Sequence, residues 1–206
     1  MRGLAPAVVK LGGSFAFSEQ LRNWIEALAA CAGQVVIVPG GGPFADAVRL
    51  AQTRMGFDDR AAHQMALLAM EQYGRALASF NSALSPADSV SAIRQRLDAD
   101  RVPVWMPSPM VLRANDIAPS WDVTSDSLAA WLAARIGADR VFLVKHAKNI
   151  SARAALKDLI AAGIVDQAFA VFLRGSAATA FILGPSDHEA AASAIRSGAT
   201  AGIPVG

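Results

Sequence analysis

With 206 residues, 53% of them hydrophobic, a mean hydropathy of +0.34 and a net charge of only +2, the chain can build a large core, and one compact domain over residues 1–206 is expected. Its basic residues are scattered rather than clustered, which argues against a nucleic-acid footprint, and its apolar runs break well before the roughly eighteen residues that a membrane helix needs. The single cysteine, Cys31, excludes an intrachain disulfide. With no secretory signal legible near Arg2 and Lys10, the expectation is a cytoplasmic protein with no nucleic-acid or membrane partner.

Val8, Val9 and Leu11 read as a buried strand of a parallel sheet that ends in the Gly12-Gly13 turn before Ser14. Lys10 interrupts the apolar run. One residue before that turn, its ammonium reaches the carboxyl edge of the sheet, where open α/β folds bind ligands. The amides of Gly12, Gly13 and Ser14 carry no bulky side chains, so an anion can approach the backbone there. A strand–turn unit whose lysine extends into solvent is the plainer alternative.

Leu21, Trp24, Ile25 and Leu28 then recur at helical spacing behind Ser18, a candidate N-cap. Val35 to Val38 is a second strand, closed by Pro39-Gly40-Gly41-Gly42-Pro43, and Phe44 to Thr53 returns to helical period. Strand, bare glycine turn and helix N-terminus in series favour an anion through free amides and the helix dipole. On that helix Asp46 and Arg49 are one turn apart, and an i, i+3 pair on a solvated face explains them as well as Arg49 reaching an acceptor phosphate does.

Asp59 to Ser79 and Ser85 to Leu97 read as helices, the latter with Pro86 near its start. Val102 to Met106 is a third strand, followed by the Pro107-Ser108-Pro109 turn and a short extended piece at Val111-Leu112. Thr124 or Ser125 can cap a helix whose apolar face is Leu128, Trp131, Leu132 and Ile136, which places Asp126 in its first turn. There a carboxylate compensates the dipole, or holds Lys10 in place. Val141 to Val144 is a fourth strand ending at Lys145, with His146, Lys148 and Asn149 beyond it and a helix from about Ser151 to Ala162. Ala170 to Leu173 and Ala178 to Leu183 read as two strands joined by Arg174-Gly175-Ser176, and Ser186 to Ser197 is amphipathic. His63, His146 and His188 are too far apart in sequence for a zinc site, so no resident metal is expected. Three of the four lysines, by contrast, stand at or just beyond strand ends.

Val-Lys-Leu-Gly-Gly-Ser, Pro-Gly-Gly-Gly and Thr-Ser-Asp-Ser-Leu-Ala-Ala, in this order and spacing, resemble the amino acid kinase superfamily, which includes acetylglutamate, carbamate, uridylate and isopentenyl phosphate kinases. The resemblance implies a three-layer αβα sandwich with a mainly parallel central sheet. It also implies ATP with Mg2+ as phosphoryl donor, and a small-molecule acceptor held toward the first half of the chain and nucleotide toward the second. Residue by residue, Lys10 matches the lysine that neutralises the transferred phosphoryl group and Asp126 the acid that organises the lysines. Gly12, Gly13 and Ser14 match the nucleotide-phosphate turn, and Gly40, Gly41 and Gly42 the acceptor loop.

The chain departs from that pattern after the fourth strand, where it reads Lys145-His146-Ala147-Lys148-Asn149, and at Gly163-Ile164-Val165-Asp166, where many members carry a second catalytic lysine. Lys145 or Lys148 is then the candidate for the missing charge, and both also fit simple loop positions. Arg174 is a further candidate for nucleotide phosphate. The shortened form, with Ser-Trp-Asp-Val-Thr-Ser-Asp at 120 to 126 and Gly-Ile-Val-Asp at 163 to 166, most resembles the kinases of methanofuran biosynthesis, whose acceptor has an ammonium at one end and a phosphate at the other. Asp122 or Asp116 could pair with that amine, and either could cap a turn instead. The tail from Gly198 resembles the family's closing strand. Surfaces rich in Ala, Met and Leu suggest a homo-oligomer. A kinase of another carboxylate or monophosphate, or a nucleotide-binding regulator or storage protein without turnover, are the alternative readings.

Overall fold

A computed structural model of the chain describes residues 4–146 and 155–205. β1 (Ala7–Leu11) runs into a 3-10 turn at Gly13–Phe15 and then α1 (Gln20–Ala29). β2 (Val35–Pro39), α2 (Gly42–Met55), α3 (Asp59–Ala78), β3 (Leu84–Ala87), α4 (Val90–Asp98), β4 (Val102–Trp105) and α5 (Ser108–Val111) complete the first half. The second half contains α6 (Ser125–Ile136), β5 (Arg140–Val144), α7 (Leu156–Ala161), α8 (Phe169–Arg174), β6 (Thr179–Leu183), α9 (His188–Ser197) and β7 (Ile203–Val205). Among the described residues no helix is long and apolar enough to cross a membrane.

The strands form one seven-stranded sheet in the order β3-β4-β2-β1-β5-β6-β7, parallel throughout except for the β6–β7 pair. Alternation along each strand divides the core into two layers. On one face Val9 and Leu11 of β1 pack with Trp24, Ile25 and Leu28 of α1 and Ile195 of α9. On the other, Val8 packs with Leu128 and Leu132 of α6, Leu67 of α3 and Phe169 of α8. The expected αβα sandwich is therefore present.

The same alternation decides where the site's lysines point. Lys10 shares the parity of Val8 and so belongs to the α6 face. In the β1–β5 register Lys10 stands beside Leu143, another residue of that face, and Lys145 follows two positions later. Two lysines from adjacent parallel strands thus emerge on one side of the sheet at its carboxyl edge. The chain leaves β1 toward β2 on one flank and pairs β1 with β5 on the other, which opens a crevice between them.

Three expected elements differ. Ser85 to Leu97 is not one helix, because Leu84–Ala87 is strand β3 at the sheet edge, where Pro86 is tolerated. The helix begins only at Val90, with the Ser89 hydroxyl accepting from the Ala92 amide at 3.2 Å. Val111 closes the short helix α5 and Leu112 is its C-cap, rather than an extended piece. Ala170 to Leu173 lies inside helix α8, not a strand. A short apolar run carries no decisive period, and here packing of Phe169 beneath α6 settles it. The expected helix start at Ser151 lies outside the described residues.

Candidate functional site

Asp126 is almost fully buried at 3% exposure, in the first turn of α6, and both of its oxygens face lysines. Lys10 Nζ lies 2.9 Å from Oδ1, and Lys145 Nζ donates to Oδ2. Burial on its own would push the Asp126 carboxyl up, but Lys10 and then Lys145 outweigh it and hold the group below the usual carboxylate range. Burial, followed by the neighbouring Lys10 charge, pushes Lys145 down to about 8 against the opposing pull of Asp126 and Asp166. A carboxylate held between two ammonium groups leaves one net positive charge on the floor of the site.

This floor belongs to a cavity of about 520 Å³, lined among others by Lys10, Gly13, Ser14, Gly41, Gly42 and Lys145. No side chain caps the first turn of α2, which starts at Gly42 beside Gly41 and Pro43, so backbone amides are left for another partner. The two glycine turns are bare first because they touch each other. A Cβ on Gly13 would sit 2.3 Å from the Gly42 amide nitrogen, and one on Gly40 would sit 2.5 Å from the Gly13 nitrogen. Gly42 also has a φ of +57°, which L side chains rarely adopt. Gly13→Ala is expected to force the turns apart and to destabilise the protein by about 1–3 kcal/mol, measured by urea unfolding.

Arg49 and Asp122 line the same cavity. Arg49 pairs with Asp46 at 3.2 Å, and its guanidinium lies 4.4 Å from the centre of the Trp121 ring. The indole Nε1 donates to Gln52 at 2.8 Å, and Gln52 donates in turn to Asp59 at 2.9 Å. Asp122 accepts from the Ser120 hydroxyl at 3.1 Å and remains exposed. Gly12 and Gly40 are buried beneath the cavity rather than lining it, and Gly40 donates to the Leu11 carbonyl at 2.8 Å.

Arg174 does not join these residues. It ends α8 ahead of β6 and therefore stands toward the amino edge of the parallel strands, opposite the lysines. Asp116 is engaged elsewhere, accepting from Trp131 Nε1 at 3.1 Å and from Arg135 at 3.0 Å. Lys148 lies outside the described residues. Asp166 was not anticipated as a participant. It accepts from the amide and hydroxyl of Thr124 at 2.9 and 2.7 Å, from the Ser127 amide at 3.0 Å and from the Ser127 hydroxyl. Its partners are 39 and 42 residues away in sequence, so no local pattern could reveal it.

Among the described residues no three His, Cys, Asp or Glu side chains are grouped to hold a metal ion. Asp126 is taken by two lysines and Asp166 by the turn of α6, so the site does not fit a resident Mg2+. What the cavity offers is two ammonium groups, an uncapped helix start and two bare turns around one space, an arrangement suited to a polyphosphate.

The family model for the amino acid kinase family matches residues 6–158, well over half of the sequence. The chain belongs to the amino acid kinase family. That membership makes it a phosphotransferase. A curated relative, the [5-(aminomethyl)furan-3-yl]methyl phosphate kinase of Methanocaldococcus jannaschii, is 24% identical over 147 residues, covering 69% of this chain and 67% of the relative. The uridylate kinase structure from Archaeoglobus fulgidus superposes with a TM-score of 0.73 at 19% identity, over 98% of this chain and all of that one. The UMP kinase of Bacillus anthracis gives 0.73 at 15% identity over 99% and 96% of the two chains. At these identities the likeness concerns the fold. Within this amino acid kinase the second ammonium on Asp126 comes from Lys145 just past the end of β5, and Asp166 accepts from Thr124 at the start of α6.

Proposed function

We propose that this amino acid kinase transfers the γ-phosphoryl group of ATP to the phosphate of a small amine-bearing monophosphate, giving a diphosphate, with the aminomethyl-furan-methyl phosphate named for its curated relative as the acceptor. The observation that carries the reading is the shared cavity, in which Lys10 and Lys145, paired on Asp126, face the uncapped start of α2. Support for the amine end comes from the carboxylates of Asp122, Asp46 and Asp59, which line the same cavity without contacting either lysine. An acceptor with an anionic and a cationic end matches that polarity.

The chemistry asks little of the protein beyond alignment and charge. An acceptor phosphate oxygen, already anionic at neutral pH, attacks the γ-phosphorus in line. The new P–O bond forms as the bond to the β,γ-bridging oxygen breaks and ADP leaves with that electron pair. Lys10 and Lys145 balance the negative charge spread over the transferring group, and the amides at Gly41 and Gly42 hold the acceptor phosphate. Asp126 is not a base, because both oxygens are held by ammonium groups and its carboxyl is acidic. Its work is to fix the two lysines.

The test is a coupled ADP-release assay across the aminomethyl-furan phosphate, its des-amino analogue, UMP, isopentenyl phosphate and carboxylates. The amine-bearing phosphate is expected to give the highest kcat/KM, and a preference for UMP or isopentenyl phosphate would refute the assignment. In the same assay kcat is expected to fall as pH rises through about 8, because Lys145 acts as a cation and loses its proton there. Asp126 is expected to add no acid limb of its own above about pH 5, since the lysines hold it below the usual carboxylate range. A fall at about pH 6 would report the second ionisation of the acceptor phosphate. Exposed Leu50 and Met55 on α2 and Met65 and Leu68 on α3 support self-association, which light scattering will measure.

A further inference from the structure

The first turn of α6 carries Asp126 with Thr124 two residues before it and Ser127 one after it. Neither neighbour is left free. Thr124 offers α6 only a long 3.5 Å cap to the Asp126 amide, and the strong acceptor at this helix start is the Asp166 carboxylate. One side chain takes four donors from the two residues that bracket Asp126, and Ser127 is fully buried. The next residues add to the clamp, because the Ala168 amide donates to the Asp122 carbonyl at 3.2 Å. The segment from Gly163 to Gln167 also lines the cavity, so the clamp is part of its wall.

We propose that Asp166 is a positioning residue for phosphoryl transfer: by gripping Thr124 and Ser127 on the wall of the cavity that Lys145 also lines, it sets where Asp126 holds the two lysines. This rests on the kinase reading above. A helix cap alone would need one or two of these bonds. The carboxylate's second role is electrostatic: Asp166 ahead of α8 lines the same cavity as Lys145, and with Lys10 on β1 and Asp126 on α6 it is among the charges that act on that ammonium. Asp166 touches neither reacting atom. It acts through the turn of α6 and through the charge state of Lys145.

Two variants of the full chain separate these roles from simple stability. Asp166→Asn keeps the shape but removes the charge and sets an amide group against hydroxyl and amide donors. It is expected to lower kcat by about 10- to 100-fold, with the KM for ATP changed less than about threefold, as for a misplaced but intact catalytic group. The alkaline limb of kcat and the Lys145 titration, followed by NMR with 13C-labelled lysine, are both expected to move to lower pH. The double variant Thr124→Val with Ser127→Ala keeps the carboxylate and the two amide bonds but removes both hydroxyl donors, which loosens the grip on the turn. It is expected to lower kcat about tenfold while leaving the limb in place.

Wild-type kcat in both variants would overturn the proposal, as would an Asp166→Asn protein that loses stability but keeps the wild-type limb and Lys145 titration. If Asp166→Asn does not fold, the kcat of the double variant decides. Absence of ADP release from the wild type with every acceptor would instead defeat the kinase reading, and the Lys145 titration would then judge the placement of Asp166 alone.

Discussion

Replacing Asp126 by asparagine is expected to abolish most turnover and to destabilise the protein together. The carboxylate is buried with an ammonium on each oxygen, and its removal leaves two cations facing each other with one neutral amide between them. Breaking a buried pair by deleting one partner typically costs about 3–5 kcal/mol, and the cost here is relieved only by loss of a proton from Lys145. Lys145 already sits at about 8 with Asp126 in place. Without that carboxylate its folded-state pKa falls further, so between the new value and about 8 the variant binds fewer protons than the wild type. The stability deficit is therefore largest at mildly acidic pH, where Asp126 is ionised and Lys145 still protonated, shrinks as pH approaches about 8 from below, and shrinks again as acid protonates Asp126 in the wild type. Urea unfolding of both proteins at several pH values measures this slope, and ADP release measures the loss of kcat, expected to be about 10²–10³. A variant as stable as the wild type at pH 6 would show that the lysines do not depend on Asp126.

The second large effect is at Lys10. Lys10→Ala removes one of the two cations of the floor while Asp126 keeps Lys145, so the fold is expected to survive and the chemistry to suffer. By comparison with removal of a single preorganised electrostatic donor, kcat should fall about 10²–10³, or about 3–4 kcal/mol of transition-state stabilisation. Lys10→Arg is not expected to rescue it. Lys10 meets Asp126 Oδ1 at 2.9 Å as a compact ammonium with only 8% of its side chain exposed, and a longer, planar guanidinium cannot put its charge at the same point. Near-normal turnover by Lys10→Ala would contradict the role given to the β1 lysine.

Much of this site was legible because strand periodicity is strict. A lysine within Val-Val-Lys-Leu has only two directions to point, and the glycines that follow mark the sheet edge, so Lys10, Lys145 and Asp126 could be singled out from local pattern and family resemblance. The glycines were legible as special but not for their full reason. That Gly13 and Gly40 are small so that two turns can interlock depends on a contact across the chain. Arg174 misled because an apolar stretch of four residues fits a strand as well as a helix, and the strand reading placed the turn next to the nucleotide. Strand β3 was hidden by its proline, which reads as a helix start until the edge position is known. Asp166 and the Trp121–Gln52–Asp59 chain could not be read at all, since their meaning lies wholly in tertiary partners.

The most direct test of the central claim is a crystal structure with ADP, the amine-bearing phosphate and a planar aluminium fluoride in place of the transferring group. The fluoride is expected within hydrogen-bond distance of Lys10 and Lys145 Nζ, with the acceptor phosphate against the amides of Gly41 and Gly42. A fluoride seated away from both lysines, or an acceptor bound outside the α2 start, would contradict it.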